Sequence, residues 1–438
     1  VYDSGDAAEL LAVRAGAYPD GRSDAKGVEF EGCALAVFGA TESSPGTEYG
    51  FLLGERNATL TVLDMASPTA PVPVQILGAP MRPEGVTTIP ARGLVVVSGE
   101  GDEVGGGLWI YAAKQHTGQP SYGDDVYHAI SDGTPFGALG ALTWEPGGRI
   151  VATPDNAFDR QRIWWFEPDH LTQRVKLTRE LLLSDAAGAP LTGYDPEGIA
   201  LNPAGGFVIA SEGIAGNGGS TTCVGSAESN RILFVDAAGK LDPAYGVDGI
   251  VDLPCGTETN ALDWTTVRAN GFEGLAAIDS TPAAAGGVKI YVAMQRALTN
   301  EGQNTRIGEY DVDSGEWSFY FYTLDANPGG DAGNTFLSEL LHVRDDLFAV
   351  IERDQGFAGA AANKTIRTFR LASGAANNPL NPLNKLTVAN LLTHPFRFDQ
   401  EKLEGLALGA GDLWISNDND GGEAINFLVK LDPTVLGD

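Results

Sequence analysis

Histidine, cysteine and long apolar runs are scarce in this sequence, and each scarcity excludes a class of protein. The chain of 438 residues holds 5 histidines and 3 cysteines, so we do not expect a zinc site. No apolar run reaches the roughly 18 residues that a membrane-spanning helix requires. The sequence also lacks a G-x-S-x-G motif, a Walker loop and a dinucleotide-binding motif, which argues against serine hydrolases and nucleotide-binding enzymes.

Basic residues are also few relative to acidic ones. Lys and Arg number 28 against 58 Asp and Glu, which gives a net charge of -30. This balance argues against nucleic acid or an anionic membrane surface as a partner. Two interpretations of the excess acid stay open and are compatible: solubility, including in a saline habitat, and acids clustered to hold hard cations.

A pattern that recurs along the chain predicts the fold. In YDPEGIALNPAGGFVIASEG, from Tyr194 to Gly213, a Glu-Gly pair precedes an apolar run, a glycine-containing turn, a second apolar run and another acid. Related copies begin near residues 31, 84, 140, 197, 273, 339 and 404. Each copy offers at least three short strands. We predict an all-β chain folded as a seven-bladed β-propeller with four-stranded antiparallel blades; a β-sandwich array or two β domains are the alternatives.

The repeats leave no room for an interdomain linker. We therefore predict a single domain over residues 1–438, with loop insertions at about 214–230 and 240–270, where the spacing between copies is long. Either the N-terminal segment or the last strands could complete the ring.

Acids recur at two points of each copy. The first set stands at the start of the first strand: Glu31, Glu84, Glu197, Glu273, Glu339 and Glu404. The second set follows the next strand: Glu100, Asp102, Asp155, Glu212, Glu352, Asp354, Asp418 and Asp420. Antiparallel neighbours place the start of one strand beside the end of the next, so we expect both sets at one end of the propeller channel.

A ring of carboxylates at close range is stable when cations neutralise it. Oxygen ligands with almost no histidine favour a hard ion, chiefly Ca²⁺. The predicted metal ligands are Glu31, Glu84, Glu197, Glu212, Glu273, Glu339, Glu352, Glu404 and Asp418. The alternative is structural, because a glutamate before glycine can accept backbone N–H bonds. The pattern is interrupted where Gly140 and Gln295 replace acids.

Basic side chains accompany the acids. They are Arg56, Arg160, Arg162, Arg296, Arg353 and Lys402. Beside calcium such groups would clamp a phosphate, or they would simply balance the acids.

The cysteines divide into a pair and a single residue. Cys223 and Cys255 flank a loop-rich stretch, and we predict a disulfide between them, as suits an exported protein. Cys33 lies in the apolar run FEGCALAVF and is predicted to be a core residue.

Three blocks resemble a known family. They are DPEGIALNPAGGFVIASEG, GFEGLAAI and EKLEGLALGAGDLWISNDND, and they are similar to the phytase-like family described as esterase-like activity of phytase. The resemblance extends from about residue 27 to the C terminus. It implies a β-propeller, calcium dependence and hydrolysis of phosphate esters. The replacements at Gly140 and Gln295 depart from the pattern.

These observations lead to a functional hypothesis. We expect a monomeric, calcium-dependent hydrolase of small phosphate esters, secreted, periplasmic or on the cell surface. Glu197, Glu273, Arg296 and Arg353 are its predicted catalytic residues. The alternatives are a non-catalytic binding or cell-surface propeller with structural calcium, and a lactonase-like propeller, for which Asn156, Asn417 and Asn419 would be ligands.

Overall fold

The computed structural model describes most of the chain as two compact units. The described residues are 3–100, 107–113, 126–213, 230–254, 262, 271–279, 287–298, 301–326, 335–356, 361–371, 374–393, 398, 402–422 and 424–437. The first unit comprises Val1–Ala138, Pro168–Leu177 and Asn419–Leu428, and the second comprises Leu139–Glu167, Thr178–Asp418 and Val429–Asp438. The single domain stays a prediction.

The first unit contains two antiparallel sheets. Helix α1 spans Ala7–Arg14, and 3-10 helices span Asp20–Arg22 and Pro90–Arg92. One sheet comprises β1 (Phe30–Phe38), β2 (Thr47–Gly54), β3 (Thr59–Asp64) and β4 (Val72–Gly78). The other comprises β5 (Pro83–Ile89), β6 (Leu94–Gly99) and β7 (Leu108–Ala112), and strand β8 spans Val126–Ile130.

The second unit is built mainly from one meander that occurs five times, although residues 168–169, 174–177 and 427–428 of its strands belong to the first unit. The first two repeats are β9 (Leu139–Glu145), β10 (Arg149–Pro154), β11 (Arg162–Asp169) and β12 (Arg174–Leu182), then β13 (Asp195–Leu201), β14 (Phe207–Glu212), β15 (Arg231–Val235) and β16 (Ile250–Asp252). The next two are β17 (Phe272–Asp279), β18 (Val288–Met294), β19 (Asn304–Asp311) and β20 (Glu316–Thr323), then β21 (Phe336–Arg344), β22 (Leu347–Arg353), β23 (Lys364–Arg370) and β24 (Lys385–Asn390). The last has β25 (Lys402–Gly409), β26 (Asp412–Asp418) and β27 (Phe427–Leu431), and a 3-10 helix follows at Pro433–Leu436.

The first strands of these five repeats close a ring. Contacts run from β9 to β13, β17, β21 and β25 and return from β25 to β9. Within this unit, the arrangement is that of a β-propeller whose first strands are innermost. The two sheets of the remaining repeats, β1–β4 and β5–β7, belong to the first unit. The structure therefore confirms an all-β fold of mostly four-stranded antiparallel sheets, but not seven blades in one ring.

Apolar side chains fill the spaces between neighbouring sheets of the second unit. Trp165 and Phe207 pack between the β9 and β13 repeats. Phe234 and Trp317 belong to the cluster between the β13 and β17 repeats, and Phe348 to the next. Buried aromatic residues of this size supply much of the hydrophobic stabilisation, so each blade is held by its neighbours and the ring holds the inner strands in place.

The repeated glutamate marks a β-bulge, and glycine follows it in β13, β17 and β25. The ladder between β13 and β14 shifts register between Pro196 and Gly198, at Glu197, and the ladders of β17, β21 and β25 shift at the equivalent position. A bulge bends the strand and redirects a side chain. The bulges thus turn each glutamate out of the regular alternation of its strand.

The glycine after the glutamate permits close approach of the next blade. A Cβ atom at Gly198 would lie 2.6 Å from the backbone oxygen of Glu273, and one at Gly274 would lie 2.0 Å from the backbone nitrogen of Leu340. Neither contact is tolerable for a carbon atom, so only glycine fits. The glycine of the Glu-Gly pair therefore marks a close backbone approach between neighbouring blades at these two positions.

Cys33 lies on the exposed side of its strand, which contradicts its predicted place in the core. In β1 the residues Glu31, Cys33 and Leu35 are exposed, whereas Ala36 and Phe38 are buried. The apolar run alternates between two faces, and the prediction assigned Cys33 to the wrong one.

Two further expectations concern cysteines and membranes. Cys223 and Cys255 lie outside the described residues, so their disulfide stays a prediction. Over the described ranges, no helix has both the length and the apolar character needed to cross a bilayer.

Candidate functional site

The bulges of the second unit bring carboxyl groups from three repeats together. Glu197 interacts electrostatically with Glu273, Glu212, Glu404 and Asp195. We call these five residues the acid cluster. Glu31 and Glu84 of the predicted metal set lie in the first unit and are exposed.

Asp195 and Glu212 are opposite each other in one ladder. They are register partners of β13 and β14, which explains why acids flank this strand pair in the sequence. Asp195, Glu197 and Glu212 each offer an oxygen within 4.8 Å of the others. Asn156 Nδ2 donates to Asp195 Oδ2 at 2.8 Å, whereas the buried Asp195 Oδ1 accepts no hydrogen bond from a described residue. This atom is suited to a cation or a proton.

Gly140 makes room where the repeat lacks its glutamate. A Cβ atom at Gly140 would lie 3.5 Å from Glu197 Oε2 and 3.7 Å from Glu404 Oε2. A sixth acidic side chain here would extend into the space that these two carboxylates occupy, and it would add repulsion. The absence of an acid from this repeat therefore has an electrostatic reason.

Gln295 links an acid to a base. Its Nε2 donates to Glu273 Oε1, and its Oε1 accepts from Arg296 Nε at 3.0 Å. A carboxylate at this position could accept but not donate when ionised. The amide therefore orients both neighbours, and the replacement of an acid by Gln295 preserves the site.

The two predicted catalytic arginines have different environments. Arg353 is buried; its Nη2 pairs with Glu404 Oε1, and its Nε donates to Ser338 Oγ at 2.7 Å. Burial opposes this charge, but Glu404 and Glu273 outweigh it and raise the pKa of Arg353. Arg296 is half-buried and lies over the Phe336 ring, 4.6 Å from its centroid. Arg296 is thus the arginine that a ligand can reach.

A second pair of acids lies beside the cluster. Asp155 follows β10 and interacts with Asp418 at the end of β26. Lys402 Nζ lies 3.0 Å from Asp418 Oδ2. Lys402 therefore balances Asp418.

Two predicted metal ligands are engaged elsewhere. Glu352 accepts from the Tyr322 hydroxyl at 2.8 Å, from Lys385 Nζ at 2.7 Å and from the Asp325 backbone at 3.0 Å. Glu339 accepts backbone N–H groups. Successive residues of a strand face opposite sides, so Arg353 points to the β25 repeat while Glu352 points away from it. The structure gives both glutamates hydrogen-bonding roles, and their metal ligation stays a prediction.

The remaining predicted basic residues have other partners. Arg162 pairs with Glu180 at 2.9 Å, and Arg160 Nε donates to the Leu183 backbone. Arg56 lies in the first unit, where it pairs with Glu29 at 2.7 Å and with Glu55 at 3.0 Å. Arg162 and Arg56 therefore neutralise neighbouring glutamates, whereas Arg160 stabilises the backbone at Leu183.

Burial makes ionisation of the acid cluster costly. It raises the pKa of Glu197 and Glu273 well above the usual range, and neighbouring carboxylates raise it further. Burial and Asp195 raise the pKa of Glu212 to about 8. Burial and Asp418 raise the pKa of Asp155 to about 9. The cluster therefore takes up protons or a cation at neutral pH.

We expect the stability of the chelator-treated protein to fall as the pH rises from about 5 to about 9. A carboxyl group whose pKa is raised by folding binds more protons in the folded state than in the unfolded state. This difference extends from the unfolded pKa, near 4, to the folded pKa of about 8 for Glu212 and about 9 for Asp155. The free energy of unfolding therefore decreases with pH over that window. Thermal unfolding across this range measures the slope. Asp155→Asn should flatten it, and a melting temperature that rises with pH would contradict the expectation.

The sequence analysis did not select Asp195, although a signal was present. Asp195 stands two residues before Glu197 in D-P-E-G, at the start of the same strand. Its position opposite Glu212 depends on the ladder register, which the sequence does not show.

Comparison with solved structures gives only distant likenesses. A protein from Lactobacillus plantarum is 11% identical, with a TM-score of 0.31, and the alignment covers 89% of this chain and 90% of that one. An exo-β-1,3-galactanase from Phanerochaete chrysosporium is 13% identical, with a TM-score of 0.40 and coverage of 68% and 61%. A glycosyl hydrolase from Bacteroides ovatus is 9% identical, with a TM-score of 0.35 and coverage of 67% and 83%.

Comparison with protein families gives a firmer result. No curated protein matches the chain in sequence. The model of the phytase-like family, described as "Esterase-like activity of phytase", matches residues 134–421, more than half of the chain. Esterases and phytases are both hydrolases, so the match supports a hydrolase. The matched range contains every residue of the acid cluster. The chain belongs to the phytase-like family.

Proposed function

We propose that the protein is a calcium-dependent hydrolase of phosphate esters and that the acid cluster is its active site. The observation that carries the proposal is the triplet of Asp195, Glu197 and Glu212, whose oxygens lie within 4.8 Å of one another. Glu197 is half-buried, in contrast to its two partners. A buried acidic triplet with one partly exposed member suits a ligand that enters from outside.

The donor set fits a calcium ion. All three groups are carboxylates, which are preferred calcium ligands, and Asp195 Oδ1 accepts no hydrogen bond from a described residue. Asp195, Glu197 and Glu212 would hold the ion, which would act as a Lewis acid on a phosphoryl oxygen.

The other residues of the site would orient the substrate and the carboxylates. Arg296 would bind the phosphoryl oxygens, because a guanidinium fork matches a phosphate. Gln295 would fix the Arg296 side chain through their hydrogen bond of 3.0 Å. Arg353 would hold Glu404 in place through the buried ion pair. Glu273 would stay oriented by the amide of Gln295. The predicted catalytic roles are thereby divided between a group that contacts substrate, Arg296, and positioning groups.

An activity screen tests the substrate class. Phosphomonoesters, phosphodiesters and lactones should be assayed with millimolar calcium and with chelator. The proposal expects calcium-dependent phosphate release. Turnover of lactones alone, or no turnover of any substrate, would contradict it.

Calcium should raise the melting temperature, and Glu197→Gln should weaken that response. A cation that binds only the folded state stabilises it by about 2.7 kcal/mol at a hundred times its dissociation constant, and an amide contributes less charge to the site. Melting curves with calcium and with chelator measure the shift. Glu9→Gln, at a half-buried position of α1 outside the acid cluster, is the control and should respond like the wild type. Coincident wild-type curves would count against a calcium site.

A further inference from the structure

One buried carboxylate collects backbone hydrogen bonds from several blades. Glu339 in β21 is 1% exposed. Its Oε2 accepts the N–H of Leu142 at 3.0 Å, and its Oε1 accepts those of Leu275 at 3.2 Å and Leu340 at 3.1 Å. The N–H of Leu406 is a further partner. The donors belong to β9, β17, β21 and β25, four of the five inner strands that close the ring.

The positions of these donors are not arbitrary. Leu275, Leu340 and Leu406 are each the residue at which ladder pairing resumes after a bulge. Bulges disrupt the ladder and leave backbone groups without strand partners, and a buried N–H without an acceptor is costly. The carboxyl group of Glu339 accepts hydrogen bonds from these backbone N–H groups of three strands.

The same bulges carry the acid cluster. Glu273 and Glu404 each stand two residues before a donor, Leu275 and Leu406 respectively. A shift of either donor would move the glutamate of the same bulge. Both oxygens of Glu339 already accept N–H groups, so a cation would have to compete with those donors. Burial raises the pKa of Glu339 well above the usual range, although the N–H groups that it accepts lower it. The hydrogen bonds themselves occupy both oxygens, so this arrangement suits an internal acceptor and not a metal ligand.

We propose that Glu339 is a positioning residue, whose carboxylate ties the bulges of four inner strands and so sets the orientation of Glu273 and Glu404 in the acid cluster. The effect on cation binding rests on the proposed function, whereas the tie between strands does not. The tie, meaning the hydrogen bonds between Glu339 and the N–H groups of the inner strands, can therefore be tested without calcium.

Hydrogen exchange in Glu339→Gln tests the tie. The amide would turn an N–H donor toward one of the backbone donors. We expect exchange at Leu142, Leu275 and Leu340 to accelerate at least tenfold more than at Ile209, which pairs within the β14–β15 ladder. Glu339→Asp keeps a carboxyl group and should restore part of the protection. It serves as the test variant in both measurements if Glu339→Gln does not fold. Equal acceleration at all four amides would overturn the proposal, because it would reflect global unfolding alone.

Calcium titration by calorimetry tests the positioning. Glu339→Gln should weaken the dissociation constant at least tenfold. Glu309→Gln is the matched control, since Glu309 is also buried and accepts the Tyr320 hydroxyl at 2.9 Å, in strands β19 and β20. It should leave the constant unchanged. If Glu339→Gln accelerates exchange selectively at Leu142, Leu275 and Leu340 but leaves the calcium dissociation constant unchanged, the positioning role is overturned. If the wild type binds no calcium but exchange is selective, the tie is supported and the proposed function fails.

Discussion

Asp195→Asn is expected to lower kcat/KM for calcium-dependent phosphate ester hydrolysis by about a thousandfold. The substitution keeps the shape of the side chain but replaces the unbonded Oδ1 and its charge with a neutral amide. Electrophilic assistance by a metal contributes several kcal/mol, and about 4 kcal/mol corresponds to about a thousandfold in rate. Steady-state kinetics at saturating calcium measure the effect.

Asp252→Asn is the matched control for this experiment. Asp252 lies on β16 of the same repeat, where it pairs with Arg231 at 2.7 Å. It should retain wild-type activity. If Asp195→Asn stays within about threefold of the wild type, the transition state is not stabilised by a cation at this triplet.

Gly274→Ala should destabilise the protein by at least about 3 kcal/mol, or prevent folding. The new methyl group would lie 2.0 Å from the backbone nitrogen of Leu340 and 2.2 Å from the Cα of Glu339. Backbone atoms cannot rotate away as a flexible side chain can, so β17 and β21 would have to separate. Separation would also break the hydrogen bond between Leu275 and Glu339.

Urea unfolding of Gly274→Ala and Gly21→Ala provides the comparison. A Cβ atom at Gly21 would meet nothing within 4 Å, so this variant should change stability by less than about 0.5 kcal/mol. An unchanged midpoint for Gly274→Ala would mean that the two inner strands do not approach each other as closely as described.

The repeat made the second unit largely predictable. Apolar runs that alternate with glycine turns specify strands locally, and the recurrence of Glu-Gly identified the first strand of three of the five repeats. The close backbone approach at Gly198 and Gly274 could also be predicted from the sequence, because glycine inside a strand commonly marks a bulge or a close approach of another backbone. The number of blades in the ring could not be predicted from the sequence. Closure of the ring depends on the inclination and packing of all the inner strands, and no single repeat encodes these quantities.

The sequence by itself determined the all-β class, the repeat and the acidic chemistry of the inner strands. These features are local, because each depends on residues within one strand or turn. Tertiary structure alone decided which carboxylates meet and what each one does. Asp195 joined the cluster through its register opposite Glu212. Glu339 became an acceptor for backbone N–H groups from four inner strands, although it occupies the same position of the repeat as Glu197. Equivalent positions in a repeat diverge in role because burial and neighbours, which come from distant parts of the chain, set the partners of each carboxylate.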